Sequence, residues 1–211
     1  KEIEDKKKLA LEFFNSGKFE DARIVIENLI ENDDKDFIAF NLLGLIQKNY
    51  LNLDKAEKLI RTAIQINPNF IEAHINLGVV LKEKGNTEEA IISYQKALNI
   101  RKDIPELYIN LGIALKDNGK IKEAIVNYQK ALNIRKDIPE LYVYLADALM
   151  DIDDFDGAID NFKEAIKINK GIVYRKKVAF PLPMNNWMQK EMGNYVQDMI
   201  LNKNSKIANY I

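Results

Sequence analysis

Fifteen residues of this chain occur twice, 34 positions apart. The segment YQKALNIRKDIPELY runs from Tyr94 to Tyr108 and again, letter for letter, from Tyr128 to Tyr142. A fixed period of this length indicates a two-helix unit stacked on copies of itself, because each unit buries its apolar face only against its neighbours. The sequence therefore predicts a repeat architecture with a long shaped surface, which favours binding over catalysis.

The same period extends over most of the chain. Five rows can be laid out, at residues 3–36, 37–70, 71–104, 105–138 and 139–172. The twentieth position of every row is alanine, and the eighth is always small: Ala10, Gly44, Gly78, Gly112 and Ala146. Two helices approach closely only where neither carries bulk. These two columns therefore predict where the helices cross.

Large apolar residues fill another column, the twenty-fourth position of each row: Ile26, Ile60, Tyr94, Tyr128 and Phe162. We expect them to occupy the space between the helices. Tyr94 and Tyr128 are interpreted as core aromatics rather than a stacking platform for bases, and their hydroxyls should need a local partner.

Each row contains two apolar runs at helical spacing, separated by a turn. In the third row the first helix is predicted from about Glu72 to Lys84. Gly85 would take the turn, and Asn86 with Glu89 gives a capping-box-like start to the second helix. In the second and fifth rows Leu51 and Asp153 replace the turn glycine, so altered turns are expected there.

This pattern resembles the tetratricopeptide repeat family, whose 34-residue unit has small residues at positions 8 and 20 and an aromatic at 24. The resemblance covers residues 3–172 and implies an all-α fold, a right-handed superhelical solenoid of five helix-turn-helix repeats. Residues 173–211 would form a C-terminal extension. The family also implies a protein-protein interaction scaffold, in which the first helix of each repeat lines a concave groove.

Composition excludes several other functions. The net charge is -1, from 31 basic and 32 acidic residues, so the basic field that binding to nucleic acid or to an anionic membrane normally needs is lacking. Cysteine is absent, which excludes disulfides, thiolate metal sites and cysteine nucleophiles. We expect a cytoplasmic protein without cofactor or metal, because the chain also contains no apolar run long enough to span a membrane.

Two asparagines are the first candidate ligand-binding residues. The resemblance implies that positions 2, 5, 6, 9, 12 and 13 of each row face the groove, and position 6 carries Asn76 and Asn110. A carboxamide can pair with both sides of a peptide bond without reading the side chain. This is similar to the asparagine ladder of O-linked N-acetylglucosamine transferases, although Lys8, Leu42 and Tyr144 interrupt it. The alternative is that the asparagines simply face water.

Charged residues at the groove positions complete the candidate site. They are Glu72, Glu106 and Glu140 at position 2, with Lys82 and Lys116 at position 12. The acids favour a partner segment with some positive charge, and the lysines temper that preference. The carboxylate clamp of chaperone-binding members of the family is missing. The alternative is solvated surface charge with no further role.

Two other features are interpreted as structural. His74, the only histidine, shares a column with aromatic residues and should be a packing residue rather than a metal ligand or base. The acidic cluster Asp151, Asp153, Asp154 and Asp156 lacks the glycine and terminal glutamate of an EF-hand loop. It is expected to form a turn and a helix N-terminus.

The composition changes from Lys170 onward, where seven basic residues stand against two acids and the charge is +5. Residues 175–183, followed by Trp187, resemble the C-terminal region of asparagine-synthetase-like enzymes, in which Lys177 would take the place of a lysine near the ATP site. However, Ala179 replaces a glycine, and the ATP-binding signature and cysteine nucleophile of that family are absent. We therefore expect no enzymatic activity. The alternative is a regulatory or targeting part of a larger enzyme, either a glycosyltransferase or an asparagine-synthetase-like protein.

A structural role for this tail is the stronger hypothesis. Residues 185–201 can form a helix with one apolar side, comprising Met188, Met192, Tyr195, Val196, Met199 and Ile200. Such a helix could cover the last repeat, or dock on another protein or a second copy of this chain. Taken together, the sequence favours an adaptor that binds an extended segment of another protein in its groove.

Overall fold

The computed structural model describes residues 2–168, and within them it contains ten α-helices and no strand. The helices are α1 (Glu2–Asn15), α2 (Phe19–Asn32), α3 (Phe37–Asn49), α4 (Leu53–Ile66), α5 (Ile71–Glu83), α6 (Thr87–Ile100), α7 (Pro105–Asp117), α8 (Ile121–Ile134), α9 (Pro139–Met150) and α10 (Phe155–Ile168). The expected all-α class is confirmed.

Each odd-numbered helix packs on the even-numbered helix that follows it, which gives five hairpins. Successive hairpins stack through α2 on α3, α4 on α5, α6 on α7 and α8 on α9. The first helices of hairpins two to five begin at Phe37, Ile71, Pro105 and Pro139, the first residues of the sequence rows. Because contacts join neighbours along the stack, the fold is the expected repeat solenoid.

First helices also contact each other directly at two places in the stack, where α3 meets α5 and α7 meets α9.

Small residues mark the helix crossings, as the sequence predicted. A Cβ added to Gly78 would overlap Cε1 of Tyr94 and lie 2.7 Å from its Cζ, and the same relationship joins Gly112 to Tyr128. Both tyrosines are 1% exposed. Neither hydroxyl makes a hydrogen bond within residues 2–168, contrary to the expected local partner, so each ring acts chiefly through packing.

The turns differ from the sequence prediction. Leu51 and Asp153 have φ values of 59° and 62°, in the same left-handed region as Gly17, Gly85 and Gly119. The turns of hairpins two and five thus keep the backbone conformation of the others, and the expected alteration was wrong. The reason is that backbone hydrogen bonds hold this conformation even without glycine.

The predicted capping box is also wrong. Asn86 does precede α6, but its side chain accepts no capping hydrogen bond. By contrast, Asp36 caps α3 with its Oδ1, which accepts hydrogen bonds from the backbone N–H groups of Ile38 and Ala39, each 3.1 Å away. Its Oδ2 lies 2.9 Å from Nζ of Lys7 in the first hairpin. The buried Asp36 therefore links the first hairpin to the second.

The C-terminal predictions fall beyond this region. The proposed amphipathic helix at residues 185–201, the extension at 173–211, and Lys177 in the stretch that resembles asparagine synthetases all lie outside the described residues. They remain predictions.

Candidate functional site

The candidate site is the surface of α3, α5, α7 and α9 at the row positions that the family resemblance assigns to the groove; we name it the groove face. Its centre is aliphatic, with half-buried side chains packed on the core, among them Ile75, Val79, Ile109 and Ile113. Polar candidates flank this strip. The structure leaves Asn76, Asn110, Lys82 and Lys116 half-buried, and Glu72, Glu106 and Glu140 exposed.

Asn76 already has a partner inside the protein. Its Nδ2 donates a hydrogen bond to Oδ1 of Asn41, 3.0 Å away on α3, and Asn41 is 4% exposed. The bond ties α5 to α3 across the groove face. Asn76 therefore has a structural role, whatever it also contributes to binding.

Asn110 differs from Asn76. Its carboxamide makes no hydrogen bond within residues 2–168, although it is half-buried beside the aliphatic strip. A carboxamide has two donors and an acceptor that gain most when they are paired. Asn110 is therefore the candidate whose polar atoms are available to a ligand.

The groove lysines form ion pairs between successive hairpins. Nζ of Lys48 lies 3.0 Å from Oε1 of Glu83, and Nζ of Lys82 lies 3.4 Å from Oδ2 of Asp117. Each pair joins position 12 of one row to position 13 of the next. The charge that the sequence assigned to ligand recognition at these positions is largely neutralised within the protein.

Lys116 continues this series but faces two acids. Its Nζ lies 2.5 Å from Oδ2 of Asp147 and 3.2 Å from Oδ2 of Asp151. Burial lowers the pKa of the Lys116 ammonium, but the two carboxylates outweigh this effect and raise its pKa above the ordinary value. Lys116 therefore stays charged, and the group of three carries one net negative charge.

The three position-2 glutamates lie in different environments. Oε1 of Glu106 accepts a hydrogen bond from Nη1 of Arg135 at 2.9 Å, in the same hairpin. Arg135 also pairs with Asp137, and Arg101, one row earlier, makes the equivalent pair with Asp103 but no ion pair with Glu72 in the described residues. In the described part of the chain Glu72 and Glu140 make no ion pair, so they are the acids free to attract a basic ligand.

The sequence treated Tyr144 only as an interruption of the asparagine ladder. In the structure it is 38% exposed, and its ring stacks on that of Tyr128 with centroids 6.0 Å apart and an interplanar angle of 23°. An exposed aromatic ring on a groove face is a common contact residue in binding sites. The signal was present in the sequence, because Tyr144 is the one aromatic residue among the five at position 6.

A second charged surface lies on α4 and the residue that ends α5, around an open cavity of about 380 Å³. Nζ of Lys84 lies 2.6 Å from Asp54 and 2.7 Å from Glu57, while Arg61 pairs with Glu57 and Glu89. The Lys84 hydrogen bond lowers the pKa of Glu57 below its usual range. Since these charges satisfy each other, this surface fastens two hairpins together.

The residues interpreted as structural do have such roles. His74 is buried, and its Nε2 lies 2.8 Å from the backbone oxygen of Pro68. Oδ1 of Asp154 accepts a hydrogen bond from the N–H of Gly157 at the start of α10. Residues 2–168 contain no group of three or more candidate metal ligands, and none of their helices is long and apolar enough to cross a bilayer.

Solved structures of MamA have a similar fold. A crystal structure of MamA gives a TM-score of 0.71 at 19% identity, covering 76% of this chain and 94% of that one. MamA 41-end from Desulfovibrio magneticus RS-1 gives 0.73 at 16% identity, covering 81% and 97%. At these identities the likeness concerns the fold alone, and 402 chains of known structure share it, so it does not select a function.

Sequence comparison agrees with the fold. None of the curated proteins matches this chain. Family models described as TPR repeat match residues 80–119 and 114–153, and models described as tetratricopeptide repeat match residues 59–92 and 139–171. These matches together span more than half of the chain's 211 residues, and the described hairpins have the corresponding helix-turn-helix form. The chain belongs to the tetratricopeptide repeat family.

Proposed function

We propose that this chain binds an extended segment of another protein along its groove face, with residues 3–172 as the binding domain. Its repeats and fold indicate a protein-interaction scaffold. The observation that carries the finer proposal is the carboxamide of Asn110, which is half-buried beside the aliphatic strip and unpaired within the described residues.

The surroundings of Asn110 define the chemistry of the segment. Ile109 and Ile113 offer aliphatic contact, and the pairing of Lys82 with Asp117 removes charge from the centre of the groove face. Apolar side chains of the partner would pack on this strip, because contact with it removes apolar surface from water. The Asn110 carboxamide would pair with a peptide group of the partner backbone, which does not depend on the partner's side chains.

Repeat spacing supports an extended conformation. Packed helices lie about 8–10 Å apart, so neighbouring first helices present equivalent positions at a comparable or somewhat larger spacing. An extended strand rises about 3.3 Å per residue, so about three residues would cross each hairpin. The free carboxylates of Glu72 and Glu140 favour basic residues in such a segment.

The test compares Asn110→Ala with wild type. Partners would first be isolated by pull-down and mass spectrometry, and a peptide from the partner would then be titrated by calorimetry. We expect about fivefold weaker binding by the variant, because a net hydrogen bond contributes about 1 kcal/mol. Asn133→Ala is the matched control, since Asn133 is exposed on a second helix, away from the groove face.

Asn76→Ala is a poorer test, because it also removes the bond to Asn41. Equal peptide affinity for wild type, Asn110→Ala and Asn133→Ala, with unchanged helicity, would contradict the proposal. A partner peptide whose affinity is changed by no substitution on the groove face would bind elsewhere on the protein. That outcome would contradict the proposal equally.

A further inference from the structure

The end of the groove face at the fifth hairpin is more acidic than the rest. Lys48 and Lys82 each face one carboxylate, whereas Lys116 faces both Asp147 and Asp151. Upstream pairs are therefore neutral, and this group carries one excess negative charge. Glu140, exposed and without an ion pair in the described part of the chain, adds a second.

Three acids and one tyrosine line one face of α9 and its C-cap residue, Asp151. Glu140, Tyr144, Asp147 and Asp151 follow one another at intervals of four, three and four residues, the spacing of neighbours along a helix surface. An exposed aromatic ring beside carboxylates suits a cationic side chain, which gains both from the ring face and from the charge. We name this set the α9 acidic face.

The chain leaves the fifth hairpin close to the α9 acidic face. In the fourth hairpin Arg135, directly after α8, reaches Glu106 in the first turn of α7, so the end of a second helix lies beside the start of its own first helix. By the repeat, the end of α10 at Ile168 lies beside Glu140. The residue of the sequence that corresponds to Arg135 is Asn169, which carries no charge to neutralise Glu140.

The sequence that follows carries the opposite charge. Residues 169–211 contain seven basic residues and two acids, a net charge of +5, in a chain whose total is -1. Three of the basic residues are consecutive, Arg175, Lys176 and Lys177, only seven to nine residues beyond Ile168. Extended chain covers about 3.3 Å per residue, and the α9 acidic face is about 16 Å long at 1.5 Å per residue. The basic stretch can therefore reach all of it.

We propose that Arg175, Lys176 and Lys177 of this chain fold back onto the α9 acidic face and occupy this end of the groove until a partner displaces them. The inference rests on the proposed function, because it makes the basic stretch a competitor for the same groove. A tethered segment has an effective concentration of about millimolar, so even a weak contact is populated. The contact is electrostatic and should weaken as salt shortens the screening distance.

The absence of cysteine allows a direct test in the full chain. A nitroxide attached to Val178→Cys would broaden the amide NMR signals of nearby residues. At low salt we expect selective broadening of α9 and its groove-face neighbours, which disappears at high salt. A label on Ser205→Cys is the matched control, because it carries the same probe at a position well beyond the basic stretch in the sequence.

Charge reversal separates this contact from general flexibility. With Arg175→Glu, Lys176→Glu and Lys177→Glu combined, the α9 broadening should be lost. Adding Glu140→Lys and Asp151→Lys to that variant should restore it, since the charges are then exchanged. Broadening that is the same in wild type and in the charge-reversed variants would overturn the proposal, as would broadening that does not affect α9. So would broadening that appears only when a labelled chain is mixed with an isotope-labelled one, because the occupant would then be a second copy.

A competition experiment tests occupancy. The synthetic peptide of residues 170–183 should bind the variant that combines Arg175→Glu, Lys176→Glu and Lys177→Glu about tenfold more tightly than it binds wild type. In wild type the tethered basic stretch already fills the groove. Equal affinity for both would count against occupancy. If partner peptides remain sensitive to Asn110→Ala in that case, only this inference fails, whereas loss of that sensitivity would count against the proposed function.

Discussion

The Nδ2 atom of Asn76 lies 3.0 Å from Oδ1 of Asn41, so two asparagines of successive hairpins share one hydrogen bond. Asn76→Ala would leave the buried acceptor of Asn41 unpaired, and we expect it to lower the free energy of unfolding by about 1–2 kcal/mol. Asn110→Ala breaks no bond within the described residues and should change stability by less than about 0.5 kcal/mol. Urea unfolding followed by circular dichroism measures both, and equal effects of the two substitutions would contradict the distinction.

The close approach of Gly78 to the Tyr94 ring predicts that a larger residue at position 78 destabilises the fold. Gly78→Ala would place a Cβ against the Tyr94 ring, which is 1% exposed and has little room to move. Overpacking costs about 1–3 kcal/mol, and the better helix propensity of alanine offsets about 1 kcal/mol of it. We expect a lower melting temperature for Gly78→Ala.

A double-mutant cycle identifies the cause of that loss. Combining Gly78→Ala with Tyr94→Leu should cost less than the sum of the two single changes, because the smaller side chain makes room for the new methyl group. Additive losses would show that the ring is not what the methyl group meets.

The left-handed backbone at Leu51 predicts that a glycine there stabilises the protein. It has φ 59° and is 81% exposed, so its side chain contributes little packing while its Cβ strains the backbone. Leu51→Gly should raise the free energy of unfolding by about 1 kcal/mol. The strain that it relieves is larger than the cost of the greater freedom of glycine in the unfolded chain. Leu51→Ala keeps the Cβ and serves as the control, with little change expected. A gain from alanine as large as that from glycine would refute the strain argument.

The buried phenol of Tyr94 predicts that the protein loses stability at alkaline pH. Burial, helped by the Glu83 charge, raises the pKa of its phenol to about 12, so the folded state favours the protonated form. This contribution is fully present below about pH 10, the unfolded value, and is lost as pH rises toward about 12. Wild type should lose about 2 kcal/mol more than Tyr94→Phe between about pH 8 and pH 12, as urea unfolding would show. Parallel stability curves for the two proteins would contradict this assignment.

The column pattern predicted the parts of the fold that depend on repetition. Gly78 and Tyr94 stand 16 residues apart in one row, and the period alone indicated that such positions meet. The columns did not predict the contact of Asn41 with Asn76, because Asn41 occupies position 5 of its row and Asn76 occupies position 6 of the next. Contacts that run diagonally between rows do not show in columns.

The charges and turns of the site needed three-dimensional information. Asp147 replaces the aliphatic residue found at position 9 in the other rows, and this exception was a visible signal for its pairing with Lys116. At Leu51 the missing glycine suggested a changed turn. The N–H of Leu51 nevertheless donates to the oxygen of Lys48, and that of Asn52 to the oxygen of Gln47, each at 2.9 Å. Those bonds retain the left-handed backbone despite the side chain.

The duplicated fifteen-residue segment has a consequence for how such a protein can change. It spans the end of one hairpin and the beginning of the next at two successive junctions, from Tyr94 to Tyr108 and from Tyr128 to Tyr142. Hairpins joined by the same parts are interchangeable, so excision of residues 105–138 would reconnect the third hairpin to the fifth through an unaltered junction. The length of the binding surface can thus evolve in whole units, by gene duplication or loss, without a new core having to be invented.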